Sequence, residues 1–388
     1  MGPIFSTRLE WEPVPNRLTQ LLRGKRRAAE PILDLTESNP TRAGLEYPPK
    51  IVESFAGNDV LHYDPDPRGS SPARHAVAQY YNARGLSVEP AQILLTASTS
   101  EAYAYLFKLL CNPGDEVLVP RPSYPLFEFL ARMESVSIRQ YPLVYQGGWG
   151  IDLETLEQMP NDRTRAIVVV NPNNPTGSFL KRSELKVLER LCATRGLALI
   201  SDEVFADYAF APDAERIGMV AAVEDCLAFS LSGLSKVAGL PQMKLGWIVA
   251  GGPDPLRRQA LEGLEWIADT YLSVSAPVQC AAARLLRFGE EVAEQIRVRT
   301  AQNLASARTC LEGSAGGILA VEGGWYCVIR VPVTRGEEEW ALELLDLDNV
   351  LLQPGFFYDF ETEAYLVASL LTNPADFTEG LRRLRGRL

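Results

Sequence analysis

Residues 230–247 read SLSGLSKVAGLPQMKLGW. One charged amine, Lys236, stands in a neck of small residues, Ser232-Gly233-Leu234-Ser235, and Gly239-Leu240-Pro241 follow it. A lysine is ordinarily a solvated surface charge, yet this stretch offers it no local partner. The residues on either side, 227–231 and 245–250, are short apolar runs of strand length. The lysine therefore sits in a connection between two strands, and the rest of the chain decides what it is for.

Working outward, strands and helices alternate. Short apolar strands are predicted at 93–95, 116–119, 166–170, 198–200, 227–231 and 245–250. Helices are predicted at 16–30, 71–84, 101–110 and 182–194, and residues 254–311 read as mostly helical. The run Ala166-Ile-Val-Val-Val170 has the composition of a strand buried on both faces. Such alternation implies an α/β fold, with a mainly parallel sheet covered on both sides. The end of the chain mixes strands at 324–331 and 365–370 with helices at 338–346 and 376–387, as in a smaller α+β domain.

In parallel sheets, ligands sit beyond the carboxyl ends of the strands. Ser98-Thr99-Ser100 follows the strand at 93–95 and opens a helix, whose N–H groups and dipole suit a phosphate; the plain alternative is an N-cap with Glu101 in the first turn. Asn171-Pro-Asn-Asn174-Pro-Thr-Gly177 follows the most apolar strand and supplies a side-chain amide. Asp202 and Glu203 follow the next strand. Adjacent residues of an extended chain point to opposite faces, so only one of the two acids can enter a given site. Lys236 belongs to the same rim. An anion cradle, an amide, a carboxylate and an amine together suit pyridoxal phosphate, which needs a phosphate site, an acid facing its ring nitrogen and a lysine for a Schiff base.

The totals agree with a soluble enzyme. At 388 residues the chain exceeds the usual limit of one hydrophobic core. The net charge of −11 disfavours nucleic acid and anionic membranes as partners. Six scattered cysteines without a C-x-x-C pair fit neither a disulfide framework nor a zinc site, and match a reducing cytoplasm. Two histidines, His62 and His75, and no H-E-x-x-H or G-x-S-x-G leave little for a metal site or a serine hydrolase. No metal is expected. The Gly-rich signatures of dinucleotide dehydrogenases and P-loop NTPases are absent. No apolar leader or membrane-length stretch is read from the sequence.

Taken in order, NPNNPTG (171–177), SDEVFADY (201–208) and SLSGLSKVAGLPQMKLGW (230–247), with YDPDPRG (63–69), PSYP (122–125) and QPGFFYDF (353–360), resemble the class I/II aminotransferases. The resemblance implies the fold-type I architecture of pyridoxal-phosphate enzymes, with a seven-stranded, mainly parallel sheet in the large domain. It implies an arm and part of the small domain at 1–45, a large domain at 46–275 and a small domain at 276–388. It implies that Lys236 carries the Schiff base, that Asp202 pairs with the ring nitrogen, that Asn174 bonds the ring 3-oxygen and that Tyr124 stacks on the ring. Ser98 and Thr99 would hold the phosphate, Ser235 and Lys244 would add cofactor contacts, and Tyr63 would reach the phosphate in the other subunit of a homodimer with shared sites. The partners implied are a small amino donor and an oxo-acid acceptor.

Several positions depart from the family pattern. Val367 stands where an arginine usually grips the substrate α-carboxylate, and Ser38 where a glycine is usual. Phe205 replaces a tyrosine. Lys244 replaces an arginine, keeping the charge but losing the fork. Gly233 replaces a hydroxyl residue and Ser98 a glycine. Tyr208, three residues past Phe205, is expected to face away. The substrate would then be held by Ser38, Asn39 and Arg42. The reading is a pyridoxal-phosphate-dependent aminotransferase; the alternatives are a lyase, decarboxylase or cyclase on the same fold, or a non-catalytic module that binds the cofactor.

Overall fold

The structure is a computed structural model that describes residues 4–9, 15–362 and 364–388. Residues 1–3 and 10–14 of the expected amino-terminal arm lie outside them.

The central sheet contains eight strands: β1 (Ile93–Thr96), β2 (Glu116–Arg121), β3 (Ser137–Tyr145), β4 (Trp149–Ile151), β5 (Thr164–Val170), β6 (Ala198–Asp202), β7 (Ala228–Gly233) and β8 (Gly246–Gly251). Their order is β1-β8-β7-β6-β5-β2-β3-β4. The strands from β7 across to β3 run parallel, while β8 is antiparallel to both β1 and β7, and β4 to β3. Residues Ala166–Val170 of β5 are buried throughout, as their β-branched composition requires.

Two features differ from the sequence reading. The sheet has eight strands rather than seven, because β4 adds a short antiparallel edge. Strands β3 and β4 escape a search for apolar runs, since β3 carries Arg139 and Gln140 and is mostly half-buried. Strand β8 runs antiparallel to β7, and residues 234–245 between them open with the one-turn helix Leu234–Val237. The chain turns straight back, and that turn carries Lys236.

Beyond the central sheet, Gly317–Ile318, Tyr326–Arg330, Tyr365–Ser369 and Gln353–Pro354 form a four-stranded antiparallel sheet. Leu33–Asp34 pairs in parallel with Val350–Leu351, so the start of the chain returns to its end. The helix Ala276–Leu311 packs against both Ser71–Asn82 and Pro374–Arg385. Separate apolar clusters lie on the two faces of the central sheet, with Leu94, Val168, Ile200 and Phe229 in one and Ile167, Leu199 and Ala228 in another. A third cluster joins Leu35 to Cys327, Leu366 and Phe377. This packing fixes the strand ends, and the cavity opens there.

Candidate active site

Asp202 is the last residue of β6 and Gly233 the last of β7. The cavity beyond them has a volume of about 190 Å³ and includes Ser98, Thr99, Tyr124, Asn174, Asp202, Ser235, Lys236 and Ser38 among its walls. Four other residues singled out from the sequence lie outside its lining. Lys244 is exposed, in a left-handed turn at φ 53°. Tyr63 is 74% exposed on a separate surface hollow. Asn39 spends its side-chain oxygen on the Thr41 N–H and hydroxyl, and Arg42, in the same turn, is exposed.

The small-residue neck has a steric cause. A side chain at Gly233 would come within 2.9 Å of the Leu245 carbonyl oxygen, across the β7–β8 pair. The close approach lets the lysine-bearing turn fold tightly over the strand ends. The Lys236 Nζ lies 4.7 Å from the centre of the Trp325 ring and 5.7 Å from that of Phe205. Burial pulls its pKa down to about 8 against the opposing pull of Asp202, so near neutral pH it is within reach of the free-amine form. Tyr208 lies behind the lysine, its hydroxyl donating to the Lys236 backbone carbonyl. It does not line the cavity, as expected, though the chain there is a turn rather than a continued strand.

The two neighbouring acids separate onto opposite faces. Asp202 lines the cavity; its Oδ1 accepts from the Val204 N–H at 3.2 Å and its Oδ2 from the Tyr103 hydroxyl at 3.4 Å. Burial raises its pKa to about 6, opposed by those hydrogen bonds and by Lys236. Glu203 turns the other way and accepts from the Val220 N–H and the Ser230 hydroxyl, each at 2.8 Å.

The three asparagines of the 171–177 loop have distinct tasks. Asn171 Oδ1 accepts from the Leu180 N–H, and Asn173 bonds Ser123, Pro122 and Thr176. Those contacts hold the loop. Asn174 lines the cavity, and its buried Oδ1 has no partner among the described residues. Ser98 is the N-cap of the helix Thr99–Leu110, its hydroxyl accepting from the Glu101 N–H at 3.2 Å. The capping reading and the cavity-wall reading thus both hold for this residue, and Thr99 and Ser100 of the first turn line the cavity beside it.

Three contributors were not singled out from the sequence. Tyr103 follows Asp202 as a hydrogen-bond donor, Tyr326 lines the cavity, and Trp325 lies against the lysine. Their signal is weak because aromatic residues in helices and strands usually belong to the core.

These walls fit pyridoxal phosphate: an orphaned amide oxygen, a buried acid, an amine of lowered basicity and a helix N-terminus surround one space. Fold and site together define a large α/β enzyme built around a buried amine, and known proteins agree. The profile of aminotransferase class I and II matches residues 30–383. Glutamate-pyruvate aminotransferase AlaA of Escherichia coli strain K12 is 31% identical over 346 residues, covering 85% of this chain and 83% of that protein. An S-alkyl-thiohydroximate lyase of Arabidopsis thaliana is 32% identical over 270 residues, 67% of this chain and 58% of that protein. The solved alanine aminotransferase from Pyrococcus furiosus superimposes with a TM-score of 0.88 at 21% identity, with 99% of each chain covered. The chain belongs to the class I and II aminotransferases, a family of pyridoxal-phosphate-dependent enzymes, and it is a transaminase.

Proposed function

We propose that Lys236 is the attachment point of pyridoxal phosphate and the base of the transfer reaction. The observation that carries this is the pairing of a buried lysine of depressed basicity with a buried acid in one cavity. Pyridoxal phosphate, when bound, supplies an aldehyde for the donor amine and a ring that takes up the electron pair left at the donor carbon. The chain's own residues do the rest. Ser98, Thr99 and the first N–H groups of the helix they open would hold the phosphate. Asp202 would pair with the ring nitrogen and keep it protonated, Asn174 would bond the 3-oxygen, and Tyr124 would cover the ring. Lys236, as a free amine, would take the proton from the donor carbon. Over a full cycle the donor CH–NH2 becomes C=O and the oxo acid C=O becomes CH–NH2, so no outside oxidant is needed.

The same reading makes the active unit a homodimer. Leu61, Tyr63 and Trp266 are 85%, 74% and 78% exposed in the single chain, the kind of apolar surface that a second copy covers. Tyr63 then reaches the partner's cofactor phosphate, and Ser235, on the cavity wall, is a further cofactor contact. The division into an arm with part of the small domain at 1–45, a large domain at 46–275 and a small domain at 276–388 is supported by the pairing of Leu33–Asp34 with Val350–Leu351. A cytoplasmic setting is supported by six free cysteines. No helix among the described residues is long and apolar enough to cross a membrane.

The test is spectroscopic. Wild-type protein reconstituted with pyridoxal phosphate is expected to show a protein-bound visible band that an amino donor bleaches and an oxo acid restores. A Lys236→Ala variant that kept the same band and the same cycle would overturn the assignment.

A further inference from the structure

Among the described residues that line the cavity, Lys236 and Asp202 are the only ones with an ionic side chain at neutral pH. No arginine lines it. Val367 is fully buried, facing Val328 on one neighbouring strand and Gln353 on the other. A substrate group beside the reacting carbon therefore meets no second cation on these walls.

It meets a pair of hydroxyls. Ser38 and Tyr326 both line the cavity and bring their hydroxyls to it. Their placement is built rather than incidental. Tyr326 lies opposite Ser369 in the antiparallel sheet. The Ser369 hydroxyl donates to the Glu37 carbonyl at 2.6 Å, and the Ser369 N–H to the Leu35 carbonyl at 2.7 Å. Residues 35–38 are thereby stitched to the strand that pairs with Tyr326. The Tyr326 ring packs edge-on to Phe205, centres 6.3 Å apart, and Phe205 in turn lies beside Lys236. Burial holds the phenol above its ordinary range, so it stays a neutral donor at any working pH.

We propose that the Ser38–Tyr326 pair recognises the group next to the amine-bearing carbon of the substrate, and that it accepts neutral hydrogen-bond acceptors as well as carboxylates. The substrate class of the site then includes α-amino amides alongside α-amino acids. The physical reason is a near-cancellation. A carboxylate makes the stronger hydrogen bond to a hydroxyl, but it also loses more hydration on entry, and no cation offsets that loss. Specificity is the difference between two such sums, and here the difference is small. This inference rests on the transaminase site proposed above.

The experiment uses the reconstituted holoenzyme and a panel of L-amino acids, each paired with its amide, in single-turnover bleaching of the bound cofactor. The proposal expects the best acid and its amide to differ by less than about 30-fold in rate constant over binding constant, because losing a partner from a buried charged pair costs more than that. It also expects Tyr326→Phe to raise the half-saturating concentration of the amides by about 5–10-fold, the range of one neutral hydrogen bond, and that of the acids by at least as much. The maximal rate should fall by less than the half-saturating concentration rises. A preference above 30-fold for the acid, a Tyr326→Phe effect on the maximal rate alone, or bleaching by no member of any pair would overturn it. Borohydride fixation of the cofactor on Lys236 separates the two failures: if fixation persists, the cofactor site stands and only the substrate inference falls.

Discussion

Asp202 and Glu203 are chain neighbours, both buried, and burial raises both, to about 6 and about 7. They differ in what surrounds them. Glu203 accepts on Oε1 from both the Val220 N–H and the Ser230 hydroxyl, each at 2.8 Å, and it stitches the loop at 220 to β7. It borders a second hollow, of about 260 Å³, on the reverse face with Tyr80, Arg84 and Asp207. Asp202 has as many donors, one on each oxygen and both longer, and it lies in the cavity wall in the field of Lys236. A raised pKa therefore does not by itself mark an acid for chemistry; a place on a cavity wall beside an amine is the further sign.

Breaking the pair on each side should give opposite signatures. The largest effect belongs to the amine. Lys236→Ala should lower turnover by about 10⁴-fold or more, the scale of a lost general base, while the ligand-free protein melts no lower than wild type. Asp202→Asn should lower turnover by about 10³-fold, a typical cost for one group that stabilises developing charge, again without loss of thermal stability. Glu203→Ala should do the reverse. It removes the acceptor of the Val220 N–H and of the Ser230 hydroxyl proton and should cost about 2–4 kcal/mol of stability, with turnover per folded molecule within about tenfold of wild type. Denaturant unfolding beside steady-state rates checks all three variants.

The pH dependence sharpens the contrast. A carboxyl whose folded pKa exceeds its unfolded value binds its proton more tightly in the folded state. Glu203 therefore favours folding at low pH, and that contribution fades as pH rises from 4.5, its ordinary value, to about 7. Asp202 behaves alike between 3.8 and about 6. Lys236 is depressed, so its burial penalty is full below about 8 and is relieved between there and 10.5. Denaturation of the ligand-free Glu203→Gln variant should show a flatter stability profile than wild type between pH 4.5 and 7; an unchanged slope would contradict the assignment. The smallest expected effect is that of Tyr103→Phe. It removes one donor from Asp202 and should push that carboxyl further up, measurable by carboxyl carbon NMR titration.

Much of the architecture is legible in the sequence. The apolar runs that become β1, β2, β5, β6, β7 and β8 stand out because a strand buried on both faces has little freedom of composition. The lysine neck, the asparagine loop and the acid pair are legible because glycine, proline and paired acids are rare at strand ends without cause. The strand β3 and the edge strand β4 beside it are not, since a half-buried strand with polar residues resembles a loop. The return of Leu33–Asp34 to Val350–Leu351 is a long-range pairing that no local pattern reports. Tyr103 and Tyr326 are hidden for another reason: whether a buried aromatic hydroxyl faces a core or a cavity depends on packing between distant segments. Arg42 shows the converse. A cation suggestively close to Ser38 in the chain is exposed, outside the cavity lining.

The central claim is that the amine between β7 and β8 holds the cofactor. Borohydride reduction of the reconstituted protein, followed by digestion and peptide mass spectrometry, tests it most directly. A single phosphopyridoxyl adduct is expected on the peptide containing Lys236, absent from Lys236→Ala. An adduct confined to another lysine, such as Lys244, would contradict it.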